Sequence, residues 1–208
     1  MPGCIDLTMP LGPATPVWPG DPQVEVAVAA TIQAHGYASH TIRLGSHNGT
    51  HIDAPAHMLP GGRRLGGYPV DRFAGRGRLV DLTGGLTGGG WRAQVAAAEP
   101  GEVVLLYTGT GDDHTAPAYA QVCPAIPSEL VERLAAVPVG MVGVDAASLD
   151  RDPFPLHKRL LGRDVLLVEN LVGLGRLRGR GFRVVALPLA LDLEGAPARV
   201  IAELDPPA

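Results

Sequence analysis

Between Ser46 and His57 the chain reads Ser-His-Asn-Gly-Thr-His-Ile-Asp-Ala-Pro-Ala-His, three imidazoles and a carboxylate on a stretch that cannot be a helix. Gly49, the β-branched Thr50 and Ile52, and Pro55 all disfavour helical backbone, so His47 and His51 are no helical i, i+4 metal pair. The segment is extended or looped. In extended backbone, side chains two apart share a face, and His47, His51, Asp53 and His57 all have odd numbers, with Thr50, Ile52 and Ala54 facing the other way. A straight strand rising about 3.3 Å per residue would still leave His47 about 13 Å from His51, so convergence requires a bend. Asn48-Gly49 is a turn signal in that interval, and Pro55 redirects the chain before His57. Imidazole and carboxylate donors without thiolate suit zinc or manganese.

The rest of the chain sets the frame. Its 208 residues, 46% hydrophobic, suffice for one domain spanning residues 1–208, with residues 1–23 as a proline-rich arm (Pro10, Pro13, Pro16, Pro19, Pro22) that must pack on something. A net charge of −4 supplies no basic field for nucleic acid or an anionic membrane, which leaves a small-molecule substrate. The basic stretch from Lys158 to Arg183 is interleaved with leucines, valines and acids and reads as a solvated face. Cys4 and Cys123 lack the spacing of a thiolate metal site or a disulfide framework. Residues 1–10 lack the charge and apolar run of a signal peptide, and no apolar run approaches membrane-spanning length, so the expected location is cytoplasmic.

Short apolar runs predict strands at 24–30, 40–44, 78–82, 102–107, 139–144, 165–168 and 183–187. Helices are predicted at 91–98 and 128–136, the second with Ser128 as N-cap. The class is therefore α/β, sheet-dominated. Gly84–Gly90 is a flexible connection without the Lys-Ser/Thr ending of a phosphate loop, and Gly173-Leu-Gly175-Arg-Leu-Arg-Gly179 has the wrong spacing for a dinucleotide fingerprint.

The run from His47 to His57 resembles the HxGTHxDxPxH signature of the cyclase family of metal-dependent hydrolases, which includes bacterial kynurenine formamidases (arylformamidases) and isatin hydrolases. The likeness extends to Pro16-Val-Trp18-Pro-Gly-Asp21, Gly143-Val-Asp145, Ser148-Leu-Asp150, Glu169-Asn170 and Ala186-Leu-Pro188-Leu. It implies a swivelling β/β/α fold, one or two divalent ions, and homodimers or larger assemblies; the proline-rich arm bearing Trp18 is itself expected to reach a neighbouring subunit. It further implies that His47, His51, Asp53, His157 and Glu169 bind metal, with Asp53 bridging two ions, that His57 is the catalytic histidine, and that Trp18 contacts an aromatic substrate. Without it, His157 reads as a loop histidine and Glu169 as a strand-end carboxylate. His35, Tyr37 and His40 are expected to flank the site or bond to backbone, and Tyr107–Asp112 resembles the family's loop over the pocket. Two departures are Lys158, where formamidases often have a second histidine, and Met58, where they tend to have an aromatic residue.

No GxSxG nucleophile elbow is present, and the His/Asp/Glu set favours metal-assisted hydrolysis of a carbon–nitrogen bond. The expected reaction is hydrolysis of an N-formyl aryl amine to formate and the amine. The alternatives are cyclic-amide (isatin-like) hydrolysis, a ring-forming cyclase step, and a metal-dependent binding module without catalysis.

Overall fold

The computed structural model describes residues 3–85 and 90–206. Its frame is an eight-stranded sheet. In chain order the strands are β1 (Cys4–Asp6), β2 (Glu25–Ala30), β3 (Ser39–Arg43), β4 (His51–Asp53), β5 (Ala74–Asp81), β6 (Val103–Tyr107), β7 (Met141–Val144), β8 (Leu166–Glu169), β9 (Phe182–Pro188) and β10 (Gly195–Leu204). The helices are α1 (Ile32–His35), α2 (Gly90–Ala96), α3 (Ser128–Ala136) and α4 (Pro155–Leu161). β2 and β3 form a separate hairpin; the other strands run in the order β1-β10-β4-β8-β7-β6-β5-β9. Because β9 also pairs with β10, the sheet closes into a barrel with β1 on its flank.

β5 to β8 are parallel, while β4, β9 and β10 join antiparallel. The parallel strands are apolar on both faces, as burial on both sides requires. Val103, Leu105, Leu166 and Val168 fill the barrel interior with Ile52, and Val104, Leu106, Val142 and Leu167 pack outward against α2, α3 and α4. α3 buries Leu130, Val131, Leu134 and Ala135, the apolar stripe of a helix lying on a sheet.

All seven predicted strands are present with ends shifted by a few residues, and three more join them. β5 begins at Ala74, ahead of the expected residue 78, because Gly75 and Gly77 hide its alternation. Ser128 is the first residue of α3 and the cap position belongs to Pro127, with no side-chain cap bond, which corrects the expected cap. α4 was not foreseen, because Pro155 reads as a breaker; at the first helical position its missing N–H is harmless. Gly173–Gly179 carries a single 3₁₀ turn at Leu174–Leu177, not a dinucleotide-type helix. Of the glycine-rich connection, residues 86–89 lie outside the described residues.

Candidate metal centre

Ile52 points into the barrel, so its neighbours His51 and Asp53 face outward, under α4. β4 lies antiparallel between β8 and β10, and this pairing sets His51 opposite Glu169 and Asp53 opposite Gly195. Gly49, at φ 64°, makes the bend that brings His47 back over the strand. Asn48 braces the bend, its Oδ1 accepting the Gly45 N–H at 2.6 Å. After β4, a 3₁₀ turn at Pro55–His57 folds His57 back toward His47, and their ring centroids lie 4.1 Å apart. Parity thus governs His51 and Asp53, whereas His47 and His57 arrive through turns.

The second half of the cluster comes from distant chain. His157 projects from the first turn of α4, whose leading N–H, that of Leu156, is bound by Asp150 Oδ2 at 2.5 Å. Asp53 Oδ1 lies 2.8 Å from His47 Nδ1 and 3.3 Å from His51 Nε2; Asp53 Oδ2 lies 3.9 Å from His157 Nε2. Glu169 approaches His157 Nε2 at 3.0 Å through Oε1 and His51 Nε2 at 3.6 Å through Oε2. Two donor groups result, His47/His51/Asp53 and Asp53/His157/Glu169, each with its ligand atoms within 4.8 Å of one another and with Asp53 common to both.

The remaining nitrogens are taken by partners that orient each ring. His51 Nδ1 donates to Gly49 O at 2.8 Å, and His157 Nδ1 bonds to Asp150 Oδ1, so both rings present Nε2 to the cluster. His47 is turned the other way: Nδ1 faces Asp53 and Nε2 faces Glu194 Oε1 at 3.5 Å. Glu194 is itself held by the Ser46 hydroxyl at 2.6 Å. Neither role is legible in the sequence: Asp150 stands out only as part of the Ser148-Leu-Asp150 likeness, and Glu194 carries no local signal.

Burial works against charge throughout the cluster, yet mutual attraction prevails. Burial alone would depress His51, but the Asp53 and Glu169 carboxylates hold its pKa up to about 9. His157, likewise buried, is held up to about 10 by Glu169, Asp150 and Asp53. Burial would raise Asp53, yet His51 and His47 hold it well below the usual carboxylate range.

The donor set fits a divalent cation on two grounds. Asp53 Oδ2 is buried and has no hydrogen-bond partner among the described residues, a costly arrangement for a carboxylate oxygen unless a cation satisfies it. Three imidazoles and two carboxylates without thiolate are also the donors that zinc or manganese accepts.

A cavity of about 190 Å³ opens beside the cluster, lined by His47, His51, His57, His157 and Glu169 together with Trp18, Phe154 and Met58. His57 belongs to neither donor group, and burial pushes its imidazole below its ordinary pKa. The proline-rich arm folds back on its own chain: Met9 N donates to Thr50 Oγ1 at 2.8 Å, and Trp18 packs with Met9, Tyr119 and Ala147. Phe154, missed in the sequence, adds a second aromatic wall, its ring 5.7 Å from that of His157. Lys158 points away, its Nζ donating to Pro153 O at 2.6 Å, so that departure does not touch the site, whereas Met58 lines the cavity. His35 bonds to the Thr31 backbone, Tyr37 and His40 are exposed on the β2–β3 hairpin, and none of the three lines the cavity. The expected pocket loop at Tyr107–Asp112 does not line it either; buried Asp145 ties that loop down through the N–H groups of Thr108 at 2.8 Å and Gly109 at 2.9 Å.

The sequence profile of the family described as "Putative cyclase" matches residues 5–151. The chain belongs to this cyclase family. It is 32% identical to a kynurenine formamidase of Salinibacter ruber, with 95% of each chain covered, and 29% identical to one of Bacillus cytotoxicus, again with 95% of each covered. An isatin hydrolase solved with the product analogue thioisatinate has the same fold, with a TM-score of 0.84 at 23% identity, over 98% of this chain and 92% of that one. A structure described as a potential metal-dependent hydrolase with cyclase activity aligns with a TM-score of 0.76 at 28% identity, over 98% and 99%. With its buried donor cluster, this cyclase-family chain is an enzyme, a metal-dependent amide hydrolase. Among the described residues no helix is long and apolar enough to cross a membrane.

Proposed function

We propose that the chain hydrolyses an N-formyl aryl amine of the N-formyl-kynurenine kind, giving formate and the free amine. One or two ions of zinc or manganese would be held by His47, His51, Asp53, His157 and Glu169. The observation that carries this reading is Asp53: buried, unpartnered at Oδ2, and common to two donor groups beside an aromatic-walled cavity. The 32% identity to a kynurenine formamidase over nearly the full chain supports the formyl substrate.

A divalent ion bound here supplies a Lewis acid that polarises a carbonyl and lowers the pKa of water. The chain's own residues do the rest. Asp150 and Glu194 fix the faces that His157 and His47 present. His57, depressed by burial, is neutral at pH 7; it accepts a proton from the attacking water and delivers it to the leaving nitrogen. Trp18 and Phe154 bracket the aryl group.

The test loads metal-stripped protein with Zn²⁺ or Mn²⁺ and follows formate release from N-formyl-kynurenine in wild type and His57→Ala. The expected loss in the variant is about 10²–10⁴-fold in kcat, the range for one general acid–base group. Equal rates would remove His57 from the mechanism. Turnover of isatin without formamide turnover would move the substrate to a cyclic amide.

A further inference from the structure

We infer that Asn170 is a catalytic residue, its side-chain amide donating a hydrogen bond to the scissile carbonyl oxygen, and that Tyr119 is the positioning residue that aims it. The inference rests on the amide-hydrolase reading and assigns a role that the metal cluster does not fill.

Asn170 follows Glu169 directly at the end of β8, and its residue is only 5% exposed. It lines the cavity alongside His47, His57 and His157. Its backbone is left-handed, at φ 57°, a conformation that costs on the order of 1 kcal/mol in most non-glycine residues and concentrates at functional sites. Both backbone groups are tied: the N–H donates to Ala146 O at 2.8 Å, and the carbonyl accepts the Thr50 hydroxyl at 2.6 Å. The residue therefore holds its position regardless of its side chain.

The side chain is aimed as well. The buried Tyr119 hydroxyl donates to Asn170 Oδ1 at 3.1 Å. Burial, with the Asp145 and Glu169 carboxylates nearby, keeps that phenol protonated and so a donor. With the oxygen end engaged, the free end of the amide is Nδ2, which has no hydrogen-bond partner among the described residues. Among the described residues the sealed, unpartnered side-chain atoms are Asn48 Nδ2 and Asp53 Oδ2. Asn170 Nδ2 is thus neither bonded nor sealed, and it opens onto the cavity.

An amide N–H₂ is a neutral donor with two hydrogens, adjacent in sequence to a candidate metal ligand. As water adds to an amide carbonyl, its oxygen gains negative charge, and a fixed donor is worth more to that oxygen than to the ground-state carbonyl. The left-handed backbone alone would also suit an asparagine chosen only for its turn. Two substitutions separate the roles. Asn170→Gly keeps the backbone and removes the amide; Asn170→Asp keeps the shape and removes the donor.

The experiment compares zinc-loaded wild type, Asn170→Gly, Asn170→Asp and Tyr119→Phe for formanilide hydrolysis, metal content, Tm and formate affinity. The expected result for Asn170→Gly and Asn170→Asp is a kcat about 10²-fold lower, the loss seen when one oxyanion donor is removed, with KM and zinc content near wild type. Tyr119→Phe frees the amide to rotate and should fall in between. Formate, as the probe, should bind Asn170→Gly about 10-fold more weakly than wild type. Wild-type kcat and formate affinity in a folded, zinc-loaded Asn170→Gly would overturn the inference. A wild type that hydrolyses no formamide overturns the functional reading instead, and the formate comparison still decides whether Asn170 is the donor.

Discussion

Replacing Gly195 with alanine should dislodge His47 without altering any candidate ligand. Gly195 sits opposite Asp53 across the β10–β4 pairing, and a Cβ there would lie 2.6 Å from His47 Cε1 and 3.0 Å from Nε2. Ordinary contact begins near 3.4 Å, so the ring must retreat by roughly 0.8 Å. Zinc–nitrogen bonds are about 2.0–2.1 Å long and tolerate about 0.2 Å, so such a shift takes His47 out of bonding range unless the backbone gives way. The expected effect is that of losing an orienting contact, about 10–100-fold in metal affinity, or roughly 1.4–2.8 kcal/mol. Competition against a zinc-chelating dye measures it. Gly12→Ala is the control, since nothing lies within 4 Å of its added carbon. Unchanged zinc affinity in a Gly195→Ala protein with wild-type secondary structure would refute the placement of His47 in the coordination shell.

Three other outcomes follow from the same geometry. Asp150→Asn offers His157 Nδ1 a weaker partner and should lower zinc affinity about 10–100-fold, read by the same dye assay, and should also lower the metal-free Tm at pH 7, because Asp150 is one of the carboxylates that hold His157 charged. In the metal-free protein, His51 and His157 have pKa values raised to about 9 and about 10, above an unfolded value of 6.5; their contribution is fully present below pH 6.5 and is lost as pH rises through 9–10. Metal-free Tm should therefore fall between pH 7 and 10, and calorimetry at pH 7 in buffers of different ionisation enthalpy should show protons released on zinc binding. Glu102→Gln breaks the two-point contact of Arg78 with a buried carboxylate, at 2.6 and 2.8 Å, far along β6 from the site. It should cost about 3 kcal/mol, a drop of roughly 6–12 °C in Tm, without changing zinc affinity.

The parallel strands were legible because strands buried on both faces leave unbroken apolar runs, as in Val103–Tyr107. β10 was not, although it is the longest strand and borders three others, because Gly195 and Pro197 sit at its start and read as strand breakers. The site divided along the same line. The bend at Gly49 and the shared face of His51 and Asp53 followed from local chemistry, since both depend on residues a few positions apart. His157 and Glu169 could be placed only through the family likeness. What brings them in is the β4–β8 pairing, which sets His51 opposite Glu169, and a helix that begins at a proline. Phe154 and Glu194 depend on the same long-range contacts and carry no local signal of their own, and Asn170 stands out only through the Glu169-Asn170 likeness.

If Asp53 is the shared ligand of a metal centre, the metal content of untagged protein depends on its carboxylate. The wild type should carry about one or more equivalents of zinc or manganese per chain, and Asp53→Asn should lose nearly all of it. Less than about half an equivalent in the wild type, not restored by reconstitution, or full retention in Asp53→Asn, would contradict it.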